Sequence, residues 1–412
     1  MKIVGVITEY NPFHNGHLYH IEKAKEVTGA DAVIAVMSGN FVQRGAPAIM
    51  PKHLRTEIAL KAGASVVFEL PVCYATCSAE FFAEGAVSLL HNLGCVDSIC
   101  FGSECGDIKY LKTIAQVLLD DPNEYKSILQ TELKKGFSFP KARQNALIQY
   151  LNDDTYLDIL ERPNNILGIE YIKSLLKRAS SIDIFTIKRT QANYHSDTLD
   201  TQYSSASAIR KLLMDSSIDE AIKILESQVP NSCISTLEDT YQVRYPVYAN
   251  DFSLLLKYKL LSETKESLIE YMDISDELAN RILNLRNNFI DFEQFCDLLK
   301  SKEVTYARIS RALMHILLNI KKSDLLAYSE LGHCQYGHIL GFRKDSTAVL
   351  KEFKKSSSVQ LITKLTQTEG LSDVGLNMLK QDIFASDLYE SIITNKFKTL
   401  FINEHIQSLV FV

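Results

Sequence analysis

The chain has 412 residues, of which 46% are hydrophobic and 23% charged, and its formal net charge is −6. These values are ordinary for a soluble globular protein, and the length predicts two or more domains. The negative net charge argues against indiscriminate binding to nucleic acids. No apolar run reaches the ~18 residues that a membrane span needs, and the N-terminus has no signal-peptide pattern. We therefore expect a cytoplasmic protein.

The first part of the chain alternates strands and helices. Apolar runs predict strands at residues 3–7, 31–37, 65–70, 96–101 and 182–188. Periodic apolar stretches predict helices at residues 15–27, 51–63, 78–93, 165–177 and 205–214, with further helices over 107–151. Such alternation predicts an α/β fold with a Rossmann-like, doubly wound parallel sheet, in which ligands bind beyond the carboxyl ends of the strands.

After about Asp215 the pattern becomes mostly helical, for example at residues 309–320 and 371–384, with one more short strand expected at 337–342. We therefore predict an α/β ligand-binding domain over residues 1–215 and a mainly α-helical region over residues 216–412. Charge is uneven in the second part, because residues 300–364 contain 12 bases and 5 acids. This basic stretch is typical either of solvated helix faces or of a polyanion-binding face.

Eight cysteines are spread along the chain, and their spacing does not match a zinc site. Cys73 and Cys77 are four residues apart, and Cys95, Cys100 and Cys105 follow one another at intervals of five. Because most of the cysteines lie among apolar residues, we expect buried and reduced thiols and no metal bound by the protein.

The motif His14-Asn15-Gly16-His17 directly follows the first strand, at the start of the first helix. Free backbone N–H groups and the helix dipole make such an end an anion site, and Gly16 lets a phosphate approach the backbone. Histidines three residues apart can face one point and donate hydrogen bonds to a phosphate as its charge grows. Thr8 offers a hydroxyl to the same phosphate. The alternative is two surface histidines at a helix start.

This arrangement resembles the HIGH-type nucleotidyltransferase superfamily. The second signature of that superfamily, I-S-S-T-x-x-R, resembles residues 204–210, in which Ser205, Ser207 and Arg210 match while Ser204 and Ala206 depart from it. In the superfamily this element holds the β- and γ-phosphates of the nucleotide, which suits hydroxyls, N–H groups and a guanidinium at a helix start. A plain serine N-cap is the structural alternative.

Further segments narrow the resemblance. Residues 8–17 combine with MSGNFVQRG at 37–45, ELP at 69–71, FGSE at 101–104 and RPNNILG at 162–168. Together they resemble the tRNA(Met) cytidine acetate ligase family over essentially the whole chain. The resemblance implies an enzyme that forms acetyl-adenylate from acetate and ATP. It then acetylates the exocyclic amine of the wobble cytidine of elongator tRNA(Met), giving N4-acetylcytidine, AMP and pyrophosphate. Mg²⁺ is expected on the phosphates.

The resemblance also implies the site residues. Catalysis is expected from His14, His17 and Arg210. The expected ATP-binding residues are Ile7, Thr8, Glu9, Tyr10, Asn11, Pro12, Phe13, His14, Asn15, Gly16, His17, His20, Gly102, Asn164, Arg189, Ser205 and Ser207. A shift from Asn164 to Asn165 stays open, and a surface salt bridge is the alternative for Arg189.

Basic residues are the candidates for tRNA contacts, namely Lys52, Arg55, Arg308, Arg311, Arg343 and Lys344. Lys52 and Arg55 begin the second helix and could meet the pyrophosphate or the tRNA, and Gln43 and Arg44 lie on a Gly-flanked loop that could reach the substrate. The basic stretch at 300–364 is interpreted as a tRNA-binding face whose aromatic residues could stack on an unpaired base.

The sequence leaves two alternative functions open. A small-molecule adenylyltransferase of cofactor biosynthesis would share both signatures, but it does not need the long helical extension. A catalytically inert RNA-binding protein on a retained fold is disfavoured by the intact His14, His17 and Arg210.

Overall fold

An eight-stranded sheet lies at the centre of the computed structural model, which describes residues 1–189, 205–301 and 304–412. The strands are β1 (Ile3–Thr8), β2 (Ala32–Ser38), β3 (Phe41–Val42), β4 (Ala46–Pro47), β5 (Val66–Leu70), β6 (Ser98–Ser103), β7 (Asp183–Lys188), β8 (Tyr336–Phe342), β9 (Gln360–Ile362) and β10 (Val410–Phe411). Strands β3 and β4 form a separate two-stranded hairpin. Most residues of β1, β2 and β5 are buried, as expected for strands covered on both faces.

Helices cover both faces of the sheet. They are α1 (Asn15–Thr28), α2 (Lys52–Lys61), α3 (Val72–Ala75), α4 (Ala79–Asn92), α5 (Ile108–Asp120), α6 (Asn123–Lys134), α7 (Phe139–Leu151), α8 (Thr155–Glu161), α9 (Pro163–Lys177), α10 (Ala206–Asp215), α11 (Ile218–Gln228), α12 (Asn231–Thr240), α13 (Ser253–Ser262), α14 (Lys265–Leu268), α15 (Asp276–Leu285), α16 (Phe292–Leu299), α17 (Tyr306–Leu318), α18 (Lys322–Glu330), α19 (Thr347–Ser356) and α20 (Asp373–Phe397). Short 3-10 helices lie at Ala249–Phe252, Arg286–Asn288, Lys344–Ser346 and Glu404–Ile406. No helix within the described ranges is long and apolar enough to cross a membrane.

The strand order is β10-β8-β5-β2-β1-β6-β7, and β9 pairs with β8. Strands β5, β2, β1, β6 and β7 are mutually parallel, which confirms the predicted Rossmann-like core. Strand β8 is antiparallel to β5, with Val66 opposite Phe342 and Glu69 opposite His338. The carboxyl ends of the five parallel strands therefore meet at one edge, which also carries the loops after Thr8 and Ser38.

The C-terminal part of the chain completes this sheet. Residues 216–412 are mainly helical, as predicted, but they also supply β8, β9 and β10, and one core cluster contains both Ile3 and Ile393. The predicted boundary at residue 215 therefore does not coincide with a break in the core. All eight cysteines are free thiols, six of them buried, in agreement with the prediction.

A buried ion cluster fixes the C-terminal segment to the sheet. The ammonium of Lys52, in the first turn of α2, lies 2.7 Å from a carboxylate oxygen of Glu69 on β5 and 2.7 Å from one of Glu404. His338 on β8 lies 2.8 Å from Glu69. Burial opposes the charge on Lys52, but the carboxylates of Glu404 and Glu69 outweigh it and raise the pKa of Lys52. The cluster thus connects α2, β5, β8 and the last 3-10 helix.

Lys52→Met tests the contribution of this cluster. We expect the variant to lose about 3–5 kcal/mol in its free energy of unfolding, because two buried carboxylates lose their counter-charge. Urea unfolding of both proteins measures the difference. Lys23→Met is the matched control, since Lys23 pairs with Glu26 at the surface, where water screens the pair and its loss should change stability little. Equal losses in the two variants would contradict the role of the cluster.

Candidate nucleotide-binding site

His14 is the N-cap of α1, and its hydrogen bonds determine the tautomers of two histidines. Its Nδ1 atom accepts a hydrogen bond from the backbone N–H of Gly16 at 3.1 Å. The backbone N–H of His14 donates in turn to Nδ1 of His17 at 3.3 Å. In a neutral imidazole the nitrogen that does not accept carries the proton. The Nε2 atoms of both His14 and His17 are therefore the hydrogen-bond donors.

The histidines of this motif are held neutral. Burial, together with the positive charges of Arg189 and Arg210, lowers the pKa of His14 to about 3. Burial and Arg189 lower the pKa of His20 to about 4. Burial is the main cause that lowers the pKa of His17 well below its usual value, and the neighbouring His14 is the second cause. The three rings thus offer donors without net charge at neutral pH, beside two guanidinium groups.

Aromatic packing fixes the ring of His17. The rings of His14 and His17 stack with their centroids 3.8 Å apart. Tyr10 and Phe13, both buried, hold the other sides of the His17 ring, with centroids at 5.0 and 5.5 Å. Side chains that are held in this way need little reorganisation when a ligand arrives, which favours electrostatic catalysis.

Arg210 brings the second motif to the first. Its guanidinium donates to the backbone oxygen of Asn11 at 2.5 Å and to the hydroxyl of Ser207 at 3.1 Å. Ser205 is the N-cap of α10, since its hydroxyl accepts from the N–H of Ala208 at 3.1 Å. Ser204, which departs from the signature, lies outside the described residues. Two motifs almost 200 residues apart therefore form one site, with a helix N-terminus on each side.

Gly102 and Arg189 lie together at the ends of β6 and β7. The backbone N–H of Arg189 donates to the oxygen of Ser103 at 2.9 Å. A Cβ atom on Gly102 would lie 3.2 Å from Cγ of Arg189. The missing side chain at Gly102 therefore leaves room for the arginine to cross the end of β6, towards the histidines whose pKa values it lowers.

Glu104 distinguishes Asn164 from Asn165. One oxygen of Glu104 accepts from the side-chain amide of Asn164 at 2.6 Å, and the other from the backbone N–H of Asn165 at 2.9 Å. The amide of Asn165 is fully buried and binds the backbone of residues 104, 105 and 159. Only Asn164 is partly exposed, so its position favours it over Asn165 as a ligand contact. In the sequence Glu104 stands out only as part of the FGSE segment, and no local pattern indicates its contact with Asn164.

The prediction that Lys52 and Arg55 contact tRNA is wrong, because both side chains are completely buried. Lys52 belongs to the ion cluster described above. Arg55 donates to the backbone oxygens of Glu9 at 2.5 Å, Ser38 at 3.1 Å and Met50 at 3.0 Å, and also to Gly39. Burial lowers its pKa only to about 10, so it stays charged at neutral pH. Arg55 therefore positions the two loops at the ligand edge.

The basic stretch at residues 300–364 does not form one face. The backbone N–H of Arg343 donates to Ser65, which precedes β5, so Arg343 and Lys344 lie at the edge of the sheet opposite the loops after Thr8 and Ser38. Arg308, on α17, is 41% exposed. Arg311 is 13% exposed and is paired with Asp273 at 2.7 Å. Of the two predicted tRNA contacts on α17, Arg308 therefore has the more exposed side chain.

Comparisons with known proteins agree with this geometry. The HIGH Nucleotidyl Transferase family matches residues 1–403. A tRNA(Met) cytidine acetate ligase of Acetivibrio thermocellus is 41% identical over 392 residues, or 94% of each chain. One of Clostridium acetobutylicum is 44% identical over 402 residues, or 95% of this chain and 96% of the other.

Two solved structures have the same fold over the full length of both chains. Apo TmcAL of Thermotoga maritima is 33% identical with a TM-score of 0.93. The same protein bound with alpha-thio ATP is also 33% identical, with a TM-score of 0.88.

His14→Asn tests the lowered pKa of His14. The folded state has a pKa of about 3 for this ring and the unfolded chain ~6.5, so the unfolded state binds more protons between these values. Stability must then fall as the pH falls below about 6.5, by up to ~1.4 kcal/mol per pH unit for one group. Asparagine keeps an N-cap acceptor but does not titrate, so the variant should lose about 1.5 kcal/mol less between pH 6.5 and 5.

Urea unfolding at both pH values measures the effect. His405→Asn, at an exposed position, is the control. A wild-type pH dependence in His14→Asn would contradict the assignment.

Proposed function

Because the chain belongs to the tRNA(Met) cytidine acetate ligase family of HIGH nucleotidyl transferases, we propose that it activates acetate with ATP and acetylates the wobble cytidine of elongator tRNA(Met). The observation that carries the proposal is the contact of Arg210 with Asn11, which joins the two phosphate-binding motifs in one site. The names of the relatives support this function and not the small-molecule adenylyltransferase.

In the first step a carboxylate oxygen of acetate attacks the α-phosphorus of ATP and pyrophosphate leaves. The Nε2–H groups of His14 and His17 donate to α-phosphate oxygens as negative charge grows there. Arg210 and the N-terminus of α10 restrain the departing pyrophosphate. Arg189 adds a further positive charge near the histidines. Donors that start neutral gain most from the developing charge, because they bind the ground state less strongly.

In the second step the exocyclic amine of cytidine attacks the acetyl carbon of acetyl-adenylate. The C–O bond to the phosphate breaks, AMP leaves, and the nitrogen loses a proton. The same donors stabilise the α-phosphate as AMP departs. Positioning and electrostatics are sufficient for both steps, so no covalent enzyme intermediate is required.

We propose that Mg²⁺ enters with ATP, held by phosphate oxygens and water. Within the described ranges, one group of three side chains has the spacing of a metal site, namely Glu69, His338 and Glu404. The ammonium of Lys52 already lies 2.7 Å from both carboxylates. This group therefore does not fit a resident cation.

Incubation with ATP, labelled acetate and bulk tRNA, followed by nucleoside analysis, tests the proposal. Labelled N4-acetylcytidine in tRNA(Met) is expected. ATP–pyrophosphate exchange that depends on a mononucleotide or phosphopantetheine, and not on acetate, would contradict it.

His14→Ala should lower acetate-dependent ATP–pyrophosphate exchange by roughly 10²–10³-fold, since one preorganised donor is lost. It should also cost about 1 kcal/mol of stability through the lost N-cap. His14→Asn is the matched control, because it keeps the cap and should lose activity alone. Wild-type exchange and tRNA acetylation by His14→Ala would contradict the catalytic role of His14.

We propose that Arg308 contributes to tRNA binding. Arg308→Glu should raise the Kd for tRNA about tenfold or more, while acetate-dependent exchange is unchanged, because α17 supplies no group to the histidine motif. Filter binding and exchange assays measure the two properties. Arg311→Glu would remove the shorter of the two ion pairs with Asp273, 2.7 Å against 3.9 Å for Arg308, and should chiefly lower stability. Unchanged tRNA affinity in Arg308→Glu would overturn the assignment.

A further inference from the structure

The β3–β4 hairpin lies between the ATP loop and α17. The backbone N–H of Gln43, at its turn, donates to the carboxylate of Glu9 at 2.8 Å. The side-chain amide of Gln43 donates to the backbone oxygen of Cys77 at 3.1 Å. One side of the turn is therefore bound to the loop that leads into the histidine motif.

The other side of the turn lies against the backbone of α17. The oxygen of Gly45 accepts from the hydroxyl of Ser310 at 2.7 Å. A Cβ atom on Gly45 would lie 2.4 Å from the backbone nitrogen of Arg311 and 2.6 Å from the carbonyl carbon of Ser310. Gly45 also has a φ of 71°, a conformation that favours glycine. Only glycine permits this close approach, so the turn and α17 form one surface.

Arg44 lies at this turn, between the two attachments, and its side chain is exposed. Arg308 precedes the contact residue Ser310 by two positions and is 41% exposed. Asp273, beside α17, pairs with Arg311 at 2.7 Å and lies 3.9 Å from Arg308. Arg44, Arg308 and Arg311 thus place three positive charges at the turn and on α17 beside the carboxylate of Asp273, and this positive balance suits a polyanion.

We propose that Arg44 binds a backbone phosphate of the tRNA next to the reactive cytidine, and that Arg44 and Arg308 form one RNA-binding surface, the hairpin surface. The inference rests on the proposed function. A guanidinium binds phosphate through two parallel hydrogen bonds. The anticodon loop is single-stranded, so its bases can turn into the site while its phosphates stay on the hairpin surface. Attachment of the turn to Glu9 keeps this surface at a fixed position relative to the histidine motif.

Arg44→Ala, Arg44→Lys and the double variant Arg44→Ala/Arg308→Ala test the proposal in the full-length protein. Lys112→Ala, at an exposed position on α5, is the control. Acetate-dependent ATP–pyrophosphate exchange is measured without RNA. The Kd for tRNA(Met) is measured at several salt concentrations.

Arg44→Ala should leave exchange within twofold of wild type and raise the Kd for tRNA about tenfold. The slope of log K against log salt should become shallower by about one for Arg44→Ala and by about two for the double variant. Arg44→Lys should retain the wild-type slope because it keeps the charge, and Lys112→Ala should match wild type throughout.

Unchanged affinity and slope in Arg44→Ala would overturn the proposal. A loss of exchange in Arg44→Ala, measured without RNA, would overturn it as well, since Arg44 would then serve ATP. A wild-type protein that shows neither exchange nor acetylation would refute the proposed function itself, which is a distinct result.

Discussion

Two backbone N–H groups at the start of α1 donate to the Nδ1 atoms of His14 and His17, and the chemistry of the site depends on these bonds. They fix each imidazole as the Nε2–H tautomer, and they orient it from the helix end where the dipole also favours an anion. Burial keeps the rings neutral. The same few atoms therefore provide the N-cap, the tautomer and the donors, so the hydrogen bonds that begin the helix also set the groups that stabilise the transition state.

The loop that carries this motif is held from three directions. Arg55 binds its backbone from α2, Arg210 binds it from α10, and the side-chain oxygen of Asn11 accepts from the N–H of Ile49. Buried carbonyl groups require donors, and a guanidinium can serve several at once. A site assembled in this way is preorganised before ATP arrives. The arginines near it differ in environment, because Arg55 is buried and holds the backbone, whereas Arg210 and Arg189 lie close enough to His14 to lower its pKa.

The C-terminal part is joined to this arrangement through the sheet and through α17. Strand β8 pairs with β5, and the Lys52 cluster closes the contact from α2 to Glu404. On the other side Ser310 binds the β3–β4 hairpin, and the hairpin binds Glu9. Helix α17 is thus connected through the hairpin to the loop after β1, although Glu9 and Ser310 lie about 300 residues apart in sequence.

The sequence by itself determined the α/β core, the positions of its strands and helices, and the pairing of the His14/His17 motif with Ser207 and Arg210, because these depend on local periodicity and on motifs at element ends. Tertiary structure alone decided the rest. Strand β8 was expected, but its antiparallel place beside β5 depends on a partner about 270 residues away, and β3, β4, β9 and β10 are too short for a periodic signal. Lys52, Arg55 and Arg308 carry the same charge in the sequence. Only the fold shows that Lys52 pairs with buried carboxylates, that Arg55 donates to buried carbonyl groups and that Arg308 is partly exposed. Burial and counter-charge are properties of the packed chain.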